Sequence, residues 1–409
     1  MKFQEVRGTK DLAFEDSLKF MKLLKTGIEV FEKYGFEPVI TPCLENLETL
    51  TAKSGENIKE EIYWFKDKAD RDIALRFDLT IGTSRFLGNT NVSSPFKRYS
   101  FGPVWRYDKP GALRYREFWQ LDVDIFGSKS PYSDAECILA CVEVLEKLGI
   151  RDLKIYISNR KYFESFLEKI GIEREKFEDI MRSVDKLYKI GIEGVRKELE
   201  EKKVEKIDEI LEFSSKKGGK EILDKELQGY EDLAKLYEIL AKNSKNVEID
   251  LSVVRGLGYY DGNVCEIKFG DLEQTICAGG RYDGLIEKLS GKKMAATGMS
   301  IGVYRIIEIL KNEDLWKTKL MVCCVPDFLE DAFQVAKKFR ENGVPCICEL
   351  DGKDLKKQLE YADKKRIPYV VVIGKKEKET GKLTLRDMET GEQSLLSFEE
   401  ILERLKKIR

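Results

Sequence analysis

Between Phe101 and Gly127 the chain reads FGPVWRYDKPGALRYREFWQLDVDIFG, two apolar runs on either side of a Pro-Gly turn. In the second run Gln120, Asp122 and Asp124 alternate with Leu121, Val123 and Ile125, so a strand carries all three polar side chains on one sheet face. Arg106, Arg114 and Arg116 flank the turn. Burying carboxylates and guanidinium groups is costly unless they are paired or hold a ligand, and the arginine fork suits phosphate or carboxylate oxygens. The segment therefore predicts an antiparallel hairpin. Its polar face is either solvated or the wall of a site for a nucleotide and a small zwitterion.

A chain of 409 residues exceeds one ordinary core and predicts two or three domains. Its 72 basic and 74 acidic residues leave a net charge of only −2, so any surface for a polyanion must be a local patch. Histidine is absent altogether, which excludes a Cys/His zinc site, a Ser-His-Asp triad and a histidine general base. The nine cysteines form no CxxC pair and lie in apolar surroundings such as Cys346-Ile347-Cys348, as buried strand residues do in a reducing compartment. No apolar run is long enough to span a bilayer, and the N-terminus has no signal-peptide pattern, so a cytoplasmic protein is expected.

Helical periodicity covers residues 15–33, and Tyr34-Gly35 ends it before a predicted strand over 37–41. A strand over 72–76 leads to Asp78, a plausible helix cap. Residues 133–147 predict an amphipathic helix and 153–158 a strand. From 161 to 243 the chain is helical, rich in lysine and glutamate, and looks inserted between sheet segments. Strands are expected again over 247–254, 264–269 and 274–277, and another helix near Ile301. Antiparallel strands separated by helices predict an α+β fold. After Trp316 the pattern changes to strands over 320–325, 344–350 and 369–373 alternating with helices over 329–341 and 354–364, an α/β domain that ends in a 382–393 hairpin.

Three further stretches carry chemistry. In Leu75-Arg76-Phe77-Asp78-Leu79-Thr80, Asp78 could meet an ammonium group or merely cap a helix. In Val254-Arg255-Gly256-Leu257-Gly258-Tyr259-Tyr260, glycines let the backbone pass close to a ligand beside an arginine and two tyrosines, although a tyrosine-lined turn would look the same. Ala278-Gly279-Gly280-Arg281-Tyr282 is glycine-rich without the Gly-Lys-Ser/Thr of a P-loop. Gly298 to Arg305 leads a strand into a helix, where free N–H groups and Arg305 could hold a polyphosphate.

Taken in order, these motifs resemble the histidyl-tRNA synthetase family of class II aminoacyl-tRNA synthetases over nearly the whole chain. RGTKDL, TPCLE and LRFDLT resemble the family's N-terminal part, with Pro42 at the proline of class II motif 1, Arg106 at the motif 2 arginine and Arg305 at the motif 3 arginine. RGLGYY and AGGRYDGL resemble the two histidine-specific signatures, and LTLRDMETGEQ the end of the anticodon-binding domain. Gly258 stands where the family usually has aspartate, and Tyr304 where an acid often precedes the motif 3 arginine.

The resemblance implies a catalytic domain over 1–160 and 244–316 built on the class II antiparallel sheet flanked by helices. It also implies a helical insertion domain over 161–243 and an α/β anticodon-binding domain over 317–409. The implied reaction joins histidine to ATP as histidyl-adenylate, then passes the histidyl group to the 3′ end of tRNA(His), with Mg²⁺ accompanying ATP and a homodimer formed through motif 1. By carry-over Arg106 holds the α-phosphate and Arg305 the γ-phosphate, with Asp108 and Arg114 also at ATP. Arg255 bridges the substrate carboxylate and the α-phosphate; Arg106 and Arg255 are the catalytic pair. Asp78, Leu79, Thr80 and Gln120 surround the α-amino group, Asp124 and Tyr260 bond the imidazole, and Tyr259 lines the pocket. No protein ligand to a metal is implied. A regulatory paralogue with the same fold is the rival reading; such paralogues typically lose the C-terminal domain and the arginines, both of which this chain keeps.

Overall fold

The computed structural model describes residues 3–51, 59–107, 109, 111, 113–256, 258–270, 275–311 and 318–406. They form two compact units, Met1–Asn312 and Glu313–Arg409. The first is built on a nine-stranded sheet. From one edge its strands are Glu37–Pro38, Phe96–Trp105, Glu117–Phe126, Ala296–Gly302, Thr275–Arg281, Asn263–Phe269, Leu153–Asn159, Val247–Asp250 and Lys217–Gly218. All neighbours are antiparallel except the first pair and the pairing of 153–159 with 247–250.

The predicted alternation along the 117–126 strand holds. Leu121, Val123 and Ile125 enter the main apolar cluster with Leu23, Val30 and Phe31 of the helix Phe14–Lys33. Burying each such side chain is worth about 1.5–3 kcal/mol, and a slip of one residue would exchange all three for the polar set. The apolar face therefore fixes the register, and Gln120, Asp122 and Asp124 must point the other way. Helix Pro131–Lys147 covers the same side, its start set by proline in the first turn and by the Ser130 hydroxyl accepting from the Tyr132 amide at 3.3 Å.

Several expected elements are shorter than their patterns. The 37–41 strand is only Glu37–Pro38, and the 247–254 strand stops at Asp250, because Leu251 onward turns into the loop that carries Arg255. The 161–243 segment is helical, as Arg160–Lys169, Phe177–Val184, Leu187–Glu201, Ile207–Ser214 and Tyr230–Asn243. It belongs to the first compact unit, and Phe163, Ile180, Leu199 and Leu233 share one apolar cluster with Val123 and Ile155 of the sheet. A surface rich in lysine and glutamate conceals that shared core.

The second unit has a five-stranded sheet in the order Cys346–Cys348, Leu320–Cys324, Tyr369–Ile373, Leu383–Asp387, Gln393–Leu396. The first three strands are parallel and the last two form the predicted antiparallel hairpin. Helices Leu329–Glu341 and Leu355–Lys364 connect the parallel strands, as the alternation of periods required. The fold is α+β with an α/β second unit.

Candidate active site

The polar face of the 117–126 strand forms the floor of a cavity of about 530 Å³. Glycine keeps it open: Gly298 lies across from Asp124 in the ladder, and a Cβ there would fall 2.0 Å from Asp124 Oδ1. Asp78, Thr80, Arg106, Arg114, Gln120, Asp124, Arg255, Tyr259, Tyr260 and Arg305 all reach its wall, brought there from six separated stretches of chain. Leu79 does not line it; its side chain is buried and its carbonyl accepts from the Thr83 hydroxyl at 2.9 Å. Asp108 lies outside the described residues.

The floor carries acids. Asp78 is both the helix cap and a wall residue: Oδ1 accepts from the amides of Thr80 and Ile81 at 3.1 and 2.9 Å, while the buried Oδ2 has no partner within the protein. Burial pushes the Asp78 carboxyl above its ordinary range despite Arg106 and Arg98. Gln120 donates to the Ser300 hydroxyl at 2.8 Å and leaves Oε1 unpartnered. Asp122, 3 % exposed, also lines the cavity, and burial raises it to about 7. Asp124 is held from behind, by Arg98 at 2.6 Å and by the Tyr282 hydroxyl, which donates to Oδ1. Tyr259 and Tyr260 also line the cavity, with ring centroids 4.6 Å apart.

Arginines line the same cavity. Arg106 donates Nε to the Phe77 carbonyl at 3.0 Å, and its guanidinium lies over the Phe118 ring, 5.3 Å from the centroid. Arg305 donates to the Thr275 carbonyl; burial, then the nearby Arg255, Arg106 and Arg114, lower it below the ordinary arginine value. Arg255 pairs with Glu266 at 2.6 Å from a backbone at φ +58°, a left-handed conformation that costs a non-glycine residue strain. Burial works against its charge, yet Glu266 and Asp185 hold it above the usual value. Glu266 and Asp185 answer Arg255, and the arginine forks of Arg106 and Arg305 beside it suit phosphate oxygens.

Ser300, Thr275 and Asp185, which reading for motifs did not select, also line the cavity, as does Asp122, placed on the polar face by its alternation but given no role. Alternation with Gln120 and Asp124 was signal enough for Asp122, whereas Asp185 arrives from the helical segment by tertiary folding alone. Arg281 of the glycine-rich signature points elsewhere, into an ion pair with Asp134 at 2.8 Å. Tyr304, at a departure from the family pattern, packs against Tyr115 with centroids 4.9 Å apart and the rings tilted by 37°. Among the described residues, no cluster of Cys, Asp and Glu side chains could hold a metal ion.

A family model described as "Histidyl-tRNA synthetase" matches residues 8–306, and one described as "Anticodon binding domain" matches 319–408. The chain belongs to the histidyl-tRNA synthetase family. It is 36% identical to a histidine–tRNA ligase of Clostridium tetani over 98% of this chain and 97% of that protein. It is also 36% identical to one of Nanoarchaeum equitans over 97% of each. The crystal structure of histidyl-tRNA synthetase from Nostoc sp. PCC 7120 superposes with a TM-score of 0.84 at 29% identity, covering 100% of both chains. The family's activity is the charging of tRNA(His) with histidine at the expense of ATP, and this chain is an aminoacyl-tRNA ligase of that kind. Acids suited to an ammonium group and arginines suited to phosphates in one cavity fit that chemistry.

Proposed function

We propose that this cavity makes histidyl-adenylate and transfers its histidyl group to tRNA(His), with residue roles that suit its acids and its arginines. The carrying observation is one cavity lined both by Arg106, Arg255 and Arg305 and by Asp78 and Gln120, each of which has a side-chain oxygen without a partner in the protein. Histidine places its ammonium at Asp78, Thr80 and Gln120 and its ring between Tyr260 and Asp124, beside Tyr259. Arg255 aligns the substrate carboxylate with the α-phosphate. A carboxylate oxygen forms the new bond to that phosphorus, the bond to the bridging oxygen of the β-phosphate breaks, and pyrophosphate leaves. Then the 3′-hydroxyl of the tRNA attacks the acyl carbon and AMP departs. Both steps need positioning and charge neutralisation rather than a protein nucleophile, so the absence of histidine side chains is no obstacle.

Arg106 neutralises the α-phosphate and Arg305 the γ-phosphate, with Arg114 and Asp108 at the nucleotide. Mg²⁺ enters as the ATP complex and adds charge neutralisation when bound; the nearby Glu266 is already committed to Arg255 and to the Thr275 hydroxyl at 2.8 Å. Residues 161–243 act as an insertion domain, 317–409 as the anticodon-binding domain, and 1–160 with 244–316 as the catalytic domain. Two chains pair through the motif 1 region, where Ile40, Leu44, Trp64 and Phe65 stand exposed. The cytoplasm suits nine free cysteines, and among the described residues no helix is long and apolar enough to cross a membrane.

Amino-acid-dependent ATP–pyrophosphate exchange tests the reading. Exchange with histidine alone among the amino acids is expected. Folded protein that exchanges with none would overturn it.

A further inference from the structure

The loop from Val254 to Gly262 carries Arg255, Tyr259 and Tyr260, and one buried residue ties both of its ends. Arg160, 1 % exposed, follows the 153–159 strand. Its Nη1 donates to the carbonyls of Val254 and Arg255 at 3.3 and 2.9 Å, and its own amide donates to the Gly262 carbonyl at 2.9 Å. Its Nη2 is paired with Glu178 of the helix Phe177–Val184. Seven residues on from Glu178, so on the same face of that helix, Asp185 seats its carboxylate against the backbone of Arg255, close enough that a Cβ on Gly256 would lie 3.0 Å from Oδ2. The helical segment thus braces the one left-handed arginine of the site, through Glu178 by way of Arg160 and through Asp185 directly.

We propose that Arg160 is a positioning residue for Arg255: by closing the loop at both ends and anchoring it to Glu178, it fixes where the Arg255 guanidinium points. The left-handed backbone at Arg255 persists only if its surroundings over-determine it, and the two carbonyls that turn toward Arg160 at this point are the means. A guanidinium reaches two carbonyls and a carboxylate at once because its donors form a rigid fork; an ammonium cannot cover the same geometry. The inference rests on the role given above to Arg255 and falls with it.

Steady-state ATP–pyrophosphate exchange on native protein, Arg160→Met, Arg255→Gln and the double variant distinguishes positioning from mere stability. Arg160→Met should lower kcat for exchange at least about tenfold while the KM for ATP stays within about twofold. The double variant should be no slower than Arg255→Gln, since misaiming an absent guanidinium costs nothing. Arg160→Lys should fall between native and Arg160→Met. Where Arg160→Met does not fold, Glu178→Ala, at the exposed end of the pair, takes its place. It should lower kcat per folded molecule about threefold or more, with no further loss on top of Arg255→Gln. Native-like kcat in the folded variant, or a double variant slower than Arg255→Gln by the full factor of the single change, overturns the proposal. In either case native exchange with histidine persists, whereas failure of the proposed function shows as no native exchange at all.

Discussion

Two buried clusters of charge border the same sheet, and they are finished differently. Around Asp134 every group is answered: Arg281 reaches it at 2.8 Å and Asp283 at 3.2 Å, Asn263 donates to the second oxygen of Asp134 at 2.9 Å, and Asn159 donates to Asn263 at 2.8 Å. Around the cavity floor, Asp78 Oδ2, Gln120 Oε1 and Asp122 Oδ1 have no hydrogen-bond partner within the protein, nor do Nε and Nη1 of Arg98 behind them. Leaving a buried polar atom unpaired costs about 1–3 kcal/mol, so a fold tolerates several together only where something else fills the gap. The saturated cluster is scaffold. The unsaturated one opens on a cavity, where Asp78, Gln120 and Asp122 can meet a ligand.

The largest expected effect falls on the saturated side. Arg281→Met strands the Asp134 carboxylate in the interior and should cost about 3–5 kcal/mol in denaturant unfolding, while activity per folded molecule is kept. A variant as stable as the native protein would mean that saturation is not what marks scaffold here. On the open side, Arg255→Gln should leave the folded protein intact and lower histidine-dependent exchange by about 10²–10³-fold, the cost of one preorganised donor. Next, Asp78→Asn keeps the helix cap, since asparagine caps as well as aspartate, but loses the charge facing the ammonium. Its KM for histidine should rise about 10–100-fold with the melting temperature little moved. A large fall in stability with an unchanged KM would assign Asp78 to capping alone.

Asp122 gives a pH-dependent test. Its carboxyl, pushed up to about 7 by burial, holds a proton in the folded apo-protein between about pH 4 and 7 that the unfolded chain has already released. That stability is complete below about pH 4 and lost as pH rises through about 7. Asp122→Asn, neutral throughout, should melt above the native protein at pH 8 and not at pH 4; a difference independent of pH would show that Asp122 is not the group responsible. The smallest effect is expected at Gly258, where a Cβ meets nothing nearer than Glu178 at 3.8 Å. Gly258→Ala should change exchange less than about threefold. A large change would mean that the departure from the family's aspartate is itself part of how the loop is held.

Much of the site was legible because its signals are local. The alternation from Gln120 to Ile125 fixed which side chains face the cavity, and Asp78 was legible both as cap and as wall, two roles that one carboxylate divides between its two oxygens. Leu79 was carried along by its neighbours, yet its position at the start of a helix commits its backbone and buries its side chain. Arg281 carries the same charge and stands in as suggestive a motif as Arg305, but it faces Asp134. Nothing within a few residues of an arginine tells which carboxylate will meet it after folding.

By itself the sequence determined the α+β character, the parallel strands and closing hairpin of the second unit, and the polar face of the central strand, because hydrophobic periods of 2 and 3.6 residues are imposed by backbone geometry before any tertiary contact forms. Tertiary structure alone decided which charges are satisfied and which are left open, that the lysine- and glutamate-rich helices share the core of the sheet, and that Glu178 and Asp185 stand behind Arg255. Those outcomes depend on groups far apart in the chain meeting in a low-dielectric interior, where the presence or absence of a single partner changes the energy of a charge by several kcal/mol.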